Sequence, residues 1–70
     1  MIIINDDKYK LDYFKEGLSF ANFSTVLTTM GKEEDMFFRT LIDGVDYVLA
    51  RGDLSLESTL KLTKIKNEGL

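Results

Sequence analysis

The sequence predicts an α+β domain: an antiparallel sheet in the order ββαβββ with one helix packed across one face. Three observations carry that expectation. Residues 8–14 alternate apolar and polar, a stripe at helical spacing follows Ser19, and two turn signals in the second half agree on one buried face. Seventy residues leave room for a single domain, 1–70.

The first two strands come from the alternation. Tyr9, Leu11 and Tyr13 fall on one face, while Lys8, Lys10 and Asp12 fall on the other. Period two is the mark of a half-buried strand. Ile2 to Ile4 reads as its partner, with Asn5-Asp6-Asp7 as the turn.

The predicted helix begins at Ser19, an N-cap residue able to accept from an orphaned amide of the first turn. Leu18 and Phe23 stand at the positions of a hydrophobic staple. Phe20, Phe23, Leu27 and Met30 form the stripe, and Gly31 supplies the stop. Ser24, Thr25, Thr28 and Thr29 on the other side have mediocre helix propensity, so packing must hold this helix. Phe14, Phe20 and Phe23 flank the strand-to-helix corner. Two roles are open for Phe23: a core staple, or an aromatic anchor on a partner surface.

The last three strands come from the turns. Asp43-Gly44 and Gly52-Asp53 fit two-residue hairpin loops. Both registers gather Phe38, Ile42, Val45, Tyr47, Leu49, Leu56 and Leu60 on one face, which a one-residue slip would scatter. The expectation is a meander over 36–42, 45–51 and 54–65, with a second helix over 54–66 as the alternative. Phe37, Leu41 and Val48 then share the opposite face with Arg39, Asp46, Glu57 and Lys61. That face is apolar enough to need cover, so Phe37, Leu41 and Val48 are the expected oligomer interface, and a homodimer is expected.

Composition narrows the function classes. The chain has no histidine and no cysteine. It therefore lacks the side chain that titrates near neutrality, the usual low-pKa nucleophile and the thiolate or imidazole donors of a zinc site. No cofactor, no metal and no catalytic residue is expected. Twelve acidic residues against nine basic ones, net −3, argue against direct nucleic-acid binding, which calls for a clustered basic footprint. No stretch approaches the ~20 apolar residues of a membrane span. Met1-Ile2-Ile3-Ile4 is too short for a signal-peptide core, so a cytoplasmic location is expected.

The acidic clusters Asp6-Asp7, Glu33-Glu34-Asp35 and Asp43 with Asp46 all read as solvated turn or loop carboxylates. None has the spacing of a calcium loop, and the five glycines make no phosphate-binding pattern. Arg51-Gly52-Asp53 spells an adhesion tripeptide but is already explained as a turn.

The stretch from Asp6 to Phe23, DDKYKLDYFKEGLSFANF, combines an acidic turn, a tyrosine-rich strand, Gly-Leu-Ser, an apolar residue, two variable residues and a phenylalanine. It resembles the small uracil-DNA glycosylase inhibitors of phi29-like Bacillus phages. Glu34-Asp35-Met36-Phe37-Phe38-Arg39 echoes the start of that family's last strand. The similarity spans residues 5–43 and has no counterpart for 44–66. It also requires one extra residue, Glu16.

The resemblance implies an acidic homodimer that blocks the DNA-binding face of a host glycosylase by partial DNA mimicry. By that analogy Phe23 is the anchor and Asp12 falls near a position where a carboxylate stands in for a DNA phosphate; Phe20, Asp6 and Asp7 are the other expected partner-binding residues. The sequence departs from the family at Ser24, where an acidic residue is usual, and in its modest net charge. The expected partner is thus a host protein that binds DNA, met without chemistry of this chain's own. Other targets in the same class are a sliding clamp, a nuclease or an anti-viral effector; a small assembly module is the remaining alternative.

Overall fold

The computed structural model describes residues 1–15, 22–32 and 34–70. It is an α+β fold, a four-stranded antiparallel sheet with helices packed against one face. The class is the one expected, but the order of elements is ββββαα. Strands β1 (Ile2–Asn5), β2 (Tyr9–Tyr13), β3 (Thr25–Thr29) and β4 (Glu34–Phe38) lie side by side in chain order. Helices α1 (Leu41–Arg51) and α2 (Leu56–Glu68) follow.

The N-terminal hairpin forms where its alternation puts it. Ile4 faces Leu11 and Asn5 faces Lys10, but Ile2 faces Asp12, so Ile3 is an extra residue in β1. This bulge explains why the adjacent Ile3 and Ile4 are both buried, whereas neighbours on a regular strand point to opposite faces. The turn closes through the Asp6 amide, which donates to the Tyr9 carbonyl at 2.8 Å.

The helix expected from Ser19 to Met30 is replaced, over Thr25–Thr29, by β3. The reason is visible in its residues. Thr25, Val26, Thr28 and Thr29 are β-branched, stiff at χ1 and better suited to a pleated surface than to a helix. Pairing with β2 brings Leu27 opposite Leu11 and Thr25 opposite Tyr13. Gly31, with φ +87°, occupies the β3–β4 turn instead of stopping a helix. Ser19, Leu18 and Phe20 lie outside the described residues.

The expected strands 36–42 and 45–51 are likewise corrected: β4 ends at Phe38, and Leu41–Arg51 is one helix running straight through Asp43-Gly44. Thr40 caps it, its side chain accepting from the Asp43 amide at 3.1 Å. Leu41, Gly44, Val45 and Val48 are buried along one side, the i, i+3, i+4, i+7 spacing of a helix. Gly52 (φ +74°) is the left-handed C-cap of α1 and donates to the Leu49 carbonyl at 3.2 Å.

The strand expected over 54–65 gives way to its alternative, a helix. Ser55 caps α2 by accepting from the Ser58 amide at 3.2 Å. Leu62 and Ile65 point into the core, while Leu56 and Leu60, expected on the buried face, stand 74% and 61% exposed. Lys66 and Asp46 bridge the two helices at 2.9 Å.

Gly44 is where α1 meets the sheet. A Cβ there would lie 2.9 Å from Thr25 Cγ2 and 3.3 Å from Leu11 Cδ1 and Phe38 Cδ2. Thr25 and Leu11 are fully buried, so neither can yield freely. Ala in place of Gly gains about 1 kcal/mol of helix propensity, but overpacking a core costs about 1–3 kcal/mol. Gly44→Ala is therefore expected to lower the urea unfolding midpoint, by the equivalent of about 1 kcal/mol net. Adding Thr25→Ser, which deletes the nearest methyl, should recover part of the loss.

Candidate functional site

The helices cover the face carrying Tyr9, Leu11, Leu27 and Phe38. The other face is left open among the described residues, and the strand registers assemble it. One row runs Ile2, Asp12, Val26, Phe37 from β1 to β4. A second runs Asn5, Lys10, Thr28, Asp35. The first is an apolar band interrupted by one carboxylate; the second is polar.

Phe23 joins the first row. Its ring lies 5.9 Å from that of Phe37, centroid to centroid, tilted by 44°. That separation is within the range where aromatic pairs attract. Phe23 sits just ahead of β3, where the chain is fastened to the end of β4. The Ser24 amide donates to the Phe38 carbonyl at 3.0 Å, and the Ser24 hydroxyl donates to the Arg39 carbonyl at 2.7 Å. Phe37 is 43% exposed and Phe23 half-buried, so the pair presents ring surface outward. Asp12, between Ile2 and Val26 in the row, is held by the Met1 amino group, 3.0 Å from its Oδ1.

The structure thus brings together Phe23, Asp12 and Phe37, which the sequence analysis had divided between a partner site and an oligomer interface. It separates the others. Leu41 and Val48 are not on an exposed sheet face; they are core residues of α1, 9% and 0% exposed, so as an interface they are corrected. The cause is the change from strand to helix, which rotates both inward with Val45. Asp6 and Asp7 lie in the β1–β2 turn, on the rim of a cleft of about 410 Å³ between β1 and the start of α2. Phe20 lies outside the described residues. Ile2, Val26 and Asp35 were missed as face residues. Alternation in Thr25–Thr29 would have placed Val26 once that segment was taken as a strand.

Asp6 also has a task within the fold. Its Oδ2 accepts from the Ser55 amide at 2.9 Å, and its Oδ1 from the Lys8 amide at 3.3 Å. The Ser55 amide is the main cause that holds its carboxyl down at about 2, against the usual 3.8. Nearby, the buried Tyr9 hydroxyl donates to Asp53 Oδ2 at 3.0 Å, with Lys8 Nζ 3.8 Å from the same oxygen. Burial pushes the Tyr9 phenol up, and the bond to Asp53 adds to it. Asp53 Oδ1 is buried without a partner among the described residues. These contacts fasten the hairpin to the α1–α2 connection.

Nothing in this arrangement pairs a nucleophile with a base. Among the described residues no three acidic side chains converge as a metal site, and no helix is long and apolar enough to cross a membrane. What the open face can offer is contact: two rings, the aliphatic Ile2 and Val26, and the carboxylates of Asp12 and Asp35. No protein-family model, no curated protein and no solved structure matches this chain.

The Asp6 fastening has a pH signature. A carboxyl with a lowered folded pKa stabilises the fold above its unfolded value and loses that contribution as pH falls through the folded one. Thermal midpoints followed by circular dichroism should therefore drop as pH is lowered from about 4 to about 2. Asp6→Asn should be less stable at neutral pH and show a flatter profile across that window.

Proposed function

We propose that this chain is a binding protein with no chemistry of its own, which acts by covering a DNA-transacting protein of a host cell with its open sheet face. The observation that carries the reading is the Phe23–Phe37 ring pair on a face that no described element covers. Aromatic anchors are over-represented among residues that dominate binding energy, and a desolvated ring pair amid polar neighbours is the usual form. Asp12 within the band and Asp35 in the row beside it suit a basic surface such as a DNA-binding groove, chiefly by steering and orienting the encounter.

The specific target follows from the resemblance of residues 5–43. Its anchor position, Phe23, and one of its phosphate-mimic positions, Asp12, fall on this same face. Uracil-DNA glycosylase is thus the target we propose, blocked by occlusion in the cytoplasm of the infected cell. The anchor in this chain projects from the segment leading into a strand, so the proposal rests on the face and not on a helix start.

A glycosylase assay decides it. Stoichiometric wild-type protein is expected to suppress uracil excision from a DNA substrate. Phe23→Ala should weaken inhibition at least about tenfold, the ~1.4 kcal/mol or more expected of an anchor residue. Asp12→Asn should act mainly on the association rate and its salt dependence. Undiminished excision at micromolar wild-type protein removes this target.

A further inference from the structure

Strand β1 is an edge of the sheet, and it forms one wall of the cleft of about 410 Å³ whose other wall is the start of α2. The backbone bonds show what that wall offers. The Asp6 amide donates to the Tyr9 carbonyl and the Tyr13 amide to the Met1 carbonyl, each at 2.8 Å. These bonds bracket the β1–β2 pairing, so Ile2 and Asn5, one position inside them, turn their amides and carbonyls away from β2. No strand lies on that side among the described residues.

The bulge at Ile3 sets these two outward positions three residues apart, where a regular strand would space them by two. A long flat strand cannot follow such an edge, which is one way proteins guard against sheet-to-sheet stacking. A short segment pairing at Asn5 alone meets no such obstacle.

The opposite wall carries charge in a set order. Glu57 and Lys61 line the cleft one helical turn apart, with Glu57 nearer the Ser55 amide that Asp6 holds at 2.9 Å. Asp7 adds a second exposed carboxylate at that end. Asp7, Glu57 and Lys61 are exposed and enter no ion pair among the described residues.

We infer that this cleft binds a short extended peptide of another protein, added antiparallel to β1 opposite Asn5, with a basic residue just before the central position and an acidic one just after it. Asn5 belongs to the open face, so the peptide residue opposite it points the same way and its two neighbours point toward α2. Those neighbours are about 6.7 Å apart on an extended chain. Glu57 and Lys61 are separated by about 6 Å along the helix axis. An antiparallel peptide places its earlier neighbour across from Asp6, at the carboxylate end, and its later one across from Ile4, nearer Lys61. The opposite order of charges would set a carboxylate against Glu57 and a cation against Lys61. Main-chain bonding to a sheet edge, with flanking side chains giving specificity, is a recurring mode of peptide recognition. The cleft is apart from the Phe23–Phe37 face, and the inference does not depend on the function proposed above.

Charge order in the peptide is the test. The probe is an end-capped, fluorescein-labelled heptapeptide, Thr-Val-Lys-Val-Glu-Val-Thr, beside its counterpart with lysine and glutamate exchanged. Fluorescence anisotropy should give the first a Kd below about 1 mM and the second one about tenfold weaker. Methylating the central valine nitrogen removes the donor to the Asn5 carbonyl and should abolish binding. The double variant Glu57→Lys with Lys61→Glu should favour the exchanged peptide. Both side chains are exposed, and unchanged far-ultraviolet circular dichroism confirms its fold. In proton–nitrogen correlation spectra of the labelled protein, peptide-induced shifts should centre on Asn5, Glu57 and Lys61. No binding at about 1 mM peptide, equal affinity for the two peptides, tolerance of the methyl group, or shifts centred on Val26 and Phe37 overturns the inference. So do shifts at Asn5 that depend on protein concentration without peptide, which would assign this edge to a second copy.

Discussion

The fold turns on the absence of one side chain. At Gly44 the backbone of α1 comes down onto Leu11 and Phe38 and onto Thr25, where it is too close for a Cβ. That contact fixes the height of the helix above the sheet. Leu41, Val45 and Val48 can then reach the same core as Leu11 and Leu27, and α2 closes over it with Leu62 and Ile65. A core this small tolerates little slack, because each lost methylene costs about 0.8 kcal/mol of burial. The close approach also commits the molecule to two layers. With both helices on one side, the other side of the sheet has no intramolecular cover among the described residues, and the interaction face follows from that asymmetry.

The N-terminal hairpin was legible because its signal is local. Alternation in Lys8–Phe14 and a polar turn specify the same strand from either direction, and the strand formed. The second half was misread because its strongest signals have two physical meanings. Asp-Gly is favoured in a tight hairpin for its backbone freedom. Here the same glycine is required for lack of volume, which depends on Thr25 and Leu11, residues far off in sequence. Thr40 followed three residues later by Asp43, and Leu41, Val45 and Val48 at helical spacing, were the competing local evidence for a helix. In the segment before, a stripe of apolar residues suggested a helix, while the β-branched run Thr25–Thr29 carried the decisive preference. A periodicity of few positions yields to propensity when packing supports the latter.

The same distinction governs the site. Phe23, Asp12 and Phe37 could be singled out by residue type, but their meeting on one face depends on β3 being a strand, which carries Val26 between them. Leu41 and Val48 were chosen for the right property, apolarity without an evident partner, and found their partner inside the molecule. Asp6 was legible as a turn carboxylate; its bond to Ser55 joins groups 49 residues apart, which no local pattern foretells.

The hairpin-to-connection fastenings bear on how the chain matures. Tyr9–Asp53 and Asp6–Ser55 close loops spanning 44 and 49 positions, most of the polypeptide. Closing a long loop carries an entropic penalty that grows only slowly with length, but the contacts that repay it arrive late. During synthesis the amino-terminal hairpin emerges with its tyrosine hydroxyl and its acceptor carboxylate unsatisfied. Both find their partners only after the first helix has emerged. Until then the face carrying Tyr9, Leu11, Leu27 and Phe38 lacks the helices that cover it in the folded chain.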